Sequence, residues 1–118
     1  MNTGDITIAA LPVDIAFADR EANLAAARAM AAAVTRPVDI MVLPELFSTG
    51  YTNDPAAMHA LAEDDGGPAM QTVRRIARTH GCAVAGSFAA LENGRYFNRA
   101  YLIAPDGSML ARSAHSLI

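Results

Sequence analysis

The residues best suited to chemistry in this chain lie between Val38 and Tyr51, in the segment VDIMVLPELFSTGY. The segment begins as an apolar run without polar alternation, which is typical of a strand covered on both faces. Pro44 ends the run because proline has no N–H for a sheet ladder. Glu45 then places a carboxylate at the end of the strand, followed by two apolar residues.

A carboxylate at this point is suited to proton transfer. Ligand sites of α/β proteins lie beyond the carboxyl ends of strands. Apolar neighbours would partly remove Glu45 from water, which favours its protonated form, so the pattern predicts a general base. A structural alternative stays open. Proline followed by glutamate is also a common helix start, in which the acid complements the helix dipole.

The elements that must position Glu45 follow from the hydrophobic periodicity. An apolar segment at 6–10 predicts a first strand, and the alanine-rich segment 19–34 predicts a helix capped by Asp19 or Asn23. With the strand before Glu45, these elements form a βαβ unit, which predicts parallel pairing of its two strands.

The rest of the chain predicts two further helices and a second set of strands. Asp54 can cap the first of these helices, and Gly81 can end the second. Asn93-Gly94 is a strong signal for a type I′ hairpin between two antiparallel strands. The predicted helices cover 55–62 and 69–80, and the predicted strands cover 82–91, 96–103 and 109–112.

The composition indicates one globular domain, residues 1–118, with 53% apolar and 18% charged residues. The net charge is −3 and no basic face is evident, which argues against nucleic-acid binding. A single cysteine, Cys82, excludes an internal disulfide and favours a reducing compartment. Since neither a signal peptide nor an apolar run of bilayer length is found, we expect a cytoplasmic protein without a membrane partner.

The other groups of polar residues show no pattern of a metal or cofactor site, and we expect neither a metal nor a cofactor. His59, His80 and His115 lack metal-ligand spacing, so we interpret them as surface or cap residues. The acidic run 63–65 lacks the later ligands of a calcium loop and is interpreted as a solvated loop. Ser87 has no histidine in a triad-like context.

The segment 43–51, LPELFSTGY, resembles the amino-terminal part of the nitrilase, or carbon–nitrogen hydrolase, superfamily, and most of all its ω-amidase-like branch. The resemblance extends from about residue 6 to about residue 112, and 113–118 is interpreted as a divergent tail. Supporting positions are Asn23-Leu24, Glu63, Gly67-Pro68, Gly86-Ser87, Asn98 and Pro105-Asp106-Gly107.

The resemblance implies the fold and the activity. The fold would be α/β, the amino-terminal part of an α-β-β-α sandwich with a mixed sheet and two main helices. The activity would be hydrolysis of a non-peptide amide bond in a small ω-amide, releasing ammonia through a Glu, a Lys and a Cys. Glu45 matches the general base, and Phe47 or Tyr51 could line the substrate pocket, with plain packing as the alternative for either.

The chain departs from the family pattern at the other catalytic positions. The expected lysine falls on Ser113 or Ala114, and the chain contains no lysine at all. Arg112 carries a cation nearby, but its planar fork differs from an ammonium. The nucleophile is expected beyond residue 118, while Cys82, among small apolar residues, is interpreted as a buried hydrophobe. We therefore expect the chain alone to be inactive.

The same resemblance predicts an uncovered sheet face. Such a domain would be incomplete, and an apolar face without its partner strands favours association. We expect a homo-oligomer, or a complement of the missing carboxy-terminal half. The alternative function is that of a truncated or split-gene fragment, an interaction module for a separately encoded remainder.

Overall fold

A computed structural model describes residues 4–52 and 54–116 of the chain. It contains five strands and three helices: β1 (Ile8–Ala10), α1 (Arg20–Ala32), β2 (Ile40–Val42), α2 (Pro55–Leu61), α3 (Pro68–His80), β3 (Ala83–Glu92), β4 (Arg95–Ile103) and β5 (Met109–Ser116). None of the helices in this part of the chain is long and apolar enough to cross a lipid bilayer.

The strands form one mixed sheet in the order β1-β2-β3-β4-β5. β1, β2 and β3 are parallel, whereas β3, β4 and β5 are antiparallel neighbours. Both pairings predicted from the sequence, the parallel βαβ unit and the antiparallel hairpin, are confirmed. β5 is longer than predicted, because its ladder with β4 continues past Arg112 to Ser116.

Local sequence explains where the elements begin and end. The Asp19 carboxylate accepts a hydrogen bond from the Ala22 N–H at 3.2 Å and caps α1. Gly81 ends α3 in the left-handed conformation, with φ 64°. Asn93 and Gly94 have φ values of 53° and 74°, as a type I′ turn requires.

The main core lies between one face of the sheet and the helices α1 and α3. Alternation along each strand directs every second side chain to this helix-covered face. Cys82 is among the core residues, 1% exposed, which confirms its interpretation as a buried hydrophobe. The largest fully buried core side chains include Met41, Phe47, Met70, Val73, Phe88 and Ile103.

The opposite face of the sheet, which we call the open face, is covered only in part. At one end, Met58 of α2 packs on Leu46 and Ala89, and the His59 ring stacks on Tyr96 with centroids 3.7 Å apart. Further along, the strand register aligns a row of apolar residues that are exposed or half-buried. The row consists of Ala10, Val42, Ala85, Leu102 and Ala111.

Tyr101 carries a buried hydroxyl group on the helix-covered face. Its side chain is close to fully buried, and its hydroxyl has no hydrogen-bond partner among the described residues. Burial therefore raises the pKa of Tyr101 far above its ordinary value. The ring fits here because Gly86 lies opposite it, and a Cβ at that glycine would be 2.5 Å from the hydroxyl oxygen.

Tyr101→Phe should leave the free energy of unfolding unchanged or raise it by about 1 kcal/mol, since it removes a buried polar group without a partner. Urea denaturation followed by circular dichroism measures the change. Tyr51→Phe is the matched control, because that side chain is 70% exposed and should change stability by less than about 0.5 kcal/mol. A loss above about 1 kcal/mol in Tyr101→Phe would show that the hydroxyl is hydrogen bonded.

Candidate active site

The loop after β2 makes a tight turn, which rules out the helix-start alternative. Residues 45–49 are in turn conformation. Leu46 has a positive φ of 50°, in the left-handed region that a right-handed helix does not use. The Gly50 N–H donates back to the Leu46 carbonyl at 2.8 Å and closes the turn. The Pro-Glu sequence therefore ends a strand here without starting a helix.

Two buried polar side chains hold this loop from either side. Ser87 Oγ on β3 accepts the Leu46 N–H at 3.0 Å. Asn23 on α1 is fully buried, and its Nδ2 donates to the carbonyls of Ser48 at 3.0 Å and Ala16 at 2.8 Å. Its Oδ1 accepts the Ala16 N–H at 2.8 Å. Asn23 thereby satisfies loop groups that would be costly to bury unpaired.

Glu45 lies beyond the carboxyl end of β2, in a shallow groove on the open face. The groove has a volume of about 340 Å³, and Ser87, Asn98 and His115 are among its lining residues. Asn98 Nδ2 donates a hydrogen bond to Glu45 Oε1 at 2.9 Å. The burial expected for Glu45 is not observed, since its side chain is exposed. The turn directs the apolar residues after Glu45 into the interior and leaves the carboxylate in contact with water.

The two aromatic residues predicted near the substrate have different environments. Phe47 is 0% exposed and belongs to the main core, so the packing alternative describes it. Tyr51 is 70% exposed on the loop. Neither is among the residues that line the Glu45 groove. A substrate contact by Tyr51 stays a prediction, and Phe47 is better understood as support for the loop.

Arg112, which is next to the positions expected for the lysine, does not line the groove. It pairs in register with Tyr101, which faces the helices. Its guanidinium forms ion pairs with Asp65 and Glu92. The buried Arg99 shares both carboxylates. These four charged residues form a network on the helix side of β4 and β5.

The residue of β5 that lines the groove is His115, which belongs to the segment 113–118 interpreted above as a divergent tail. Strand alternation explains this position. His115 pairs with Asn98, and Ser113 pairs with Ala100, so both lie on the open face. Ala114, one of the two positions expected for the lysine, pairs with Arg99 on the opposite face. Extending the alternating pattern of β5 beyond Arg112 would have identified His115.

Glu63 is buried, which corrects the interpretation of the acidic run as a solvated loop. It is 7% exposed, and its Oε1 accepts the Ala69 N–H at 2.9 Å in the first turn of α3. Its Oε2 pairs with Arg20 at 3.3 Å. A negative group is favoured there because the N–H groups at a helix start lack partners. A side chain at Gly67 would collide with this carboxylate.

The single cysteine lies away from the groove. Cys82 belongs to the main core on the helix side of the sheet. Burial raises the pKa of its thiol, and a backbone hydrogen bond with Met41 opposes this rise only in part. A neutral thiol is a poor nucleophile. Cys82 is therefore neither placed nor ionised for attack on a molecule beside Glu45.

Ser87→Ala should lower the free energy of unfolding by about 1–3 kcal/mol, because it leaves the buried Leu46 N–H without an acceptor. Hydrogen exchange at the Leu46 amide should become faster, which nuclear magnetic resonance measures directly. Ser113→Ala is the matched control, since Ser113 is exposed on the same face and should change stability by less than about 0.5 kcal/mol. Unchanged exchange at Leu46 would contradict this role for Ser87.

Comparison with known sequences shows where the chain belongs. The sequence model of the carbon–nitrogen hydrolase family matches residues 7–118. The 2-oxoglutaramate amidase of Bacillus subtilis (strain 168) is 34% identical over 112 residues, which are 92% of this chain and 42% of the amidase. An (R)-stereoselective amidase of Pseudomonas sp. is 32% identical over 72 residues, 61% of this chain and 26% of that protein.

Solved structures give the same result for the fold. A CN-hydrolase superfamily protein from Xanthomonas campestris has a TM-score of 0.82 and 27% identity over 97% of this chain and 41% of its own. A variant amidase from Nesterenkonia sp. AN1, with acrylamide added at its active-site cysteine, has a TM-score of 0.77 and 26% identity. That match covers 93% of this chain and 44% of the amidase.

The chain therefore spans less than half the length of these relatives. Within that span its mixed five-stranded sheet and helices correspond to an amino-terminal portion of the α-β-β-α fold. The resemblance seen in the sequence is confirmed, and the chain belongs to the carbon–nitrogen hydrolase family.

Proposed function

We propose that this chain contributes the general base of an amidase that hydrolyses the carbon–nitrogen bond of a small ω-amide and releases ammonia. The observation that carries the proposal is Glu45, held by Asn98 in a groove beyond the end of β2. The similarity to a 2-oxoglutaramate amidase supports the substrate class. Its carboxylate is exposed and held by a single hydrogen bond, so a proton donor bound in the groove can reach it.

The proposed reaction needs three groups, of which this chain provides one. Glu45 takes the proton of a cysteine thiol, and the thiolate attacks the amide carbon. A cation stabilises the negative charge that develops on the carbonyl oxygen. The proton held by Glu45 passes to the leaving nitrogen, ammonia departs, and water hydrolyses the acyl-enzyme. No lysine is present in the chain, and its single cysteine is buried away from the groove.

We expect the purified 118-residue chain to release no ammonia from glutaramate or 2-oxoglutaramate above the buffer background. The reason is that the chain contains no lysine and its one cysteine is buried away from the groove. A coupled ammonia assay measures this, with the Bacillus subtilis amidase as the positive control. Turnover by the wild-type chain that is lost in Glu45→Gln would contradict the expected inactivity while supporting Glu45 as the base.

The open face of the sheet favours a second candidate function, that of an interaction module. The apolar row that crosses all five strands is exposed or half-buried, and Val42 within it is 36% exposed. Apolar surface of this kind favours association over exposure to water. The partner we propose is a separately encoded polypeptide equivalent to the carboxy-terminal portion of an amidase of this family.

Co-expression with such a polypeptide should yield a complex in a pull-down. Val42→Arg should weaken the complex strongly, because it places a charge in the apolar row. Arg75→Glu is the control, since Arg75 is exposed on α3 and should leave capture unchanged. Failure to recover any complex with the wild-type chain, or equal capture of both variants, would count against the interaction module.

A further inference from the structure

We propose that His115 is a second amide-binding group of the groove, donating a hydrogen bond to the carbonyl oxygen of a bound amide while Glu45 accepts one from its nitrogen. The inference rests on the proposed function, because it takes the groove to be the amide site. His115 would then contribute to the site although it is not one of the Glu, Lys and Cys residues of the family.

His115 and Glu45 lie on opposite sides of Asn98. Asn98 on β4 donates to Glu45 at 2.9 Å, and His115 on β5 is directly opposite Asn98 in the ladder. Side chains paired across two strands project from the same face, with Cβ atoms about 4.5–5.5 Å apart. Glu45, Asn98 and His115 therefore follow one another across the floor of the groove, which all three line.

The other basic side chains near β5 form ion pairs away from the groove. Arg112 and Arg99 form ion pairs with Asp65 and Glu92 on the helix side of the sheet. Neither arginine is among the residues that line the groove. Among the described residues that do line it, His115 is the only one with a basic side chain.

The chemistry of the pair matches a primary amide. Such an amide offers N–H donors on one side and a carbonyl acceptor on the other. The Glu45 carboxylate offers acceptor oxygens, whereas an imidazole always has at least one N–H donor, in its neutral and in its protonated form. Ser87, also in the groove, lies on β3 with β4 between it and His115, and its Oγ is already bonded to the loop. Glu45 and His115 are therefore the two groups that bind the amide, and Ser87 is not assigned a role as a nucleophile.

Titration of the labelled chain with glutaramate, followed by nuclear magnetic resonance, tests the inference. The amide signals of Glu45, Asn98 and His115 should move, and His115→Ala should weaken binding about fivefold or more, as expected for one lost hydrogen bond. His115→Lys should stay within about twofold of wild type, because an ammonium also donates. His115 is exposed, so these variants should retain the spectrum of the folded chain.

Ala114→Ser is the matched control, since Ala114 is adjacent on β5 and faces away from the groove. It should bind glutaramate like the wild type. If Glu45→Ala weakens binding while His115→Ala does not, the role of His115 is wrong and the proposed function survives. If the wild-type chain shows no shifts, or binds glutarate as well as glutaramate, the groove is not an amide site and both proposals fail.

Discussion

The buried amide of Asn23 is the interaction on which the site depends. It binds the loop after β2 to the segment before α1, with three hydrogen bonds of 2.8–3.0 Å. The loop needs this support because it carries a left-handed Leu46 and returns sharply on itself. Ser87 provides the second attachment, from β3. Held at both points, the loop presents Glu45 in one place instead of sampling many.

The alternation of side chains along β4 places ion pairs on one face of the sheet and groove residues on the other. On the helix side, Arg99 pairs with Glu92 at the end of β3 and with Asp65 in the loop before α3, and Arg112 of β5 shares both carboxylates. On the open side, Asn98 and Ala100 contribute to the groove. Adjacent residues of β4 thus contribute separately to the ion-pair network and to the groove, because successive side chains point to opposite faces.

Most of the fold could be predicted from the sequence, because local signals dominated it. Caps at Asp19, Asp54 and Gly81 and the turn at Asn93-Gly94 are short-range features, and the structure contains all of them. The pairing of the strands followed from the order of the elements. The length of β5 could not be predicted in this way. A short polar segment is recognised as a strand only from its ladder with β4.

The candidate site was predicted less completely than the fold. Glu45 was found from its place after an apolar run, but its exposure depends on a turn that spacing alone does not encode. Glu63 was missed as a buried group because an acidic run next to glycines resembles a loop. Its partners, Arg20 and the Ala69 N–H, come from other parts of the chain. Contacts of this kind are set by tertiary structure.

The groove is assembled from residues far apart in the chain. Glu45 follows β2, Asn98 is on β4 and His115 is near the end of β5, so no single hairpin or helix contains them. Contacts between such distant segments form only after the chain entropy of the intervening loops has been lost. During folding, the groove should therefore appear late, when the last strand joins the sheet. A molecule bound there would favour the fully paired sheet over frayed forms, which makes occupancy of the groove a measure of complete folding.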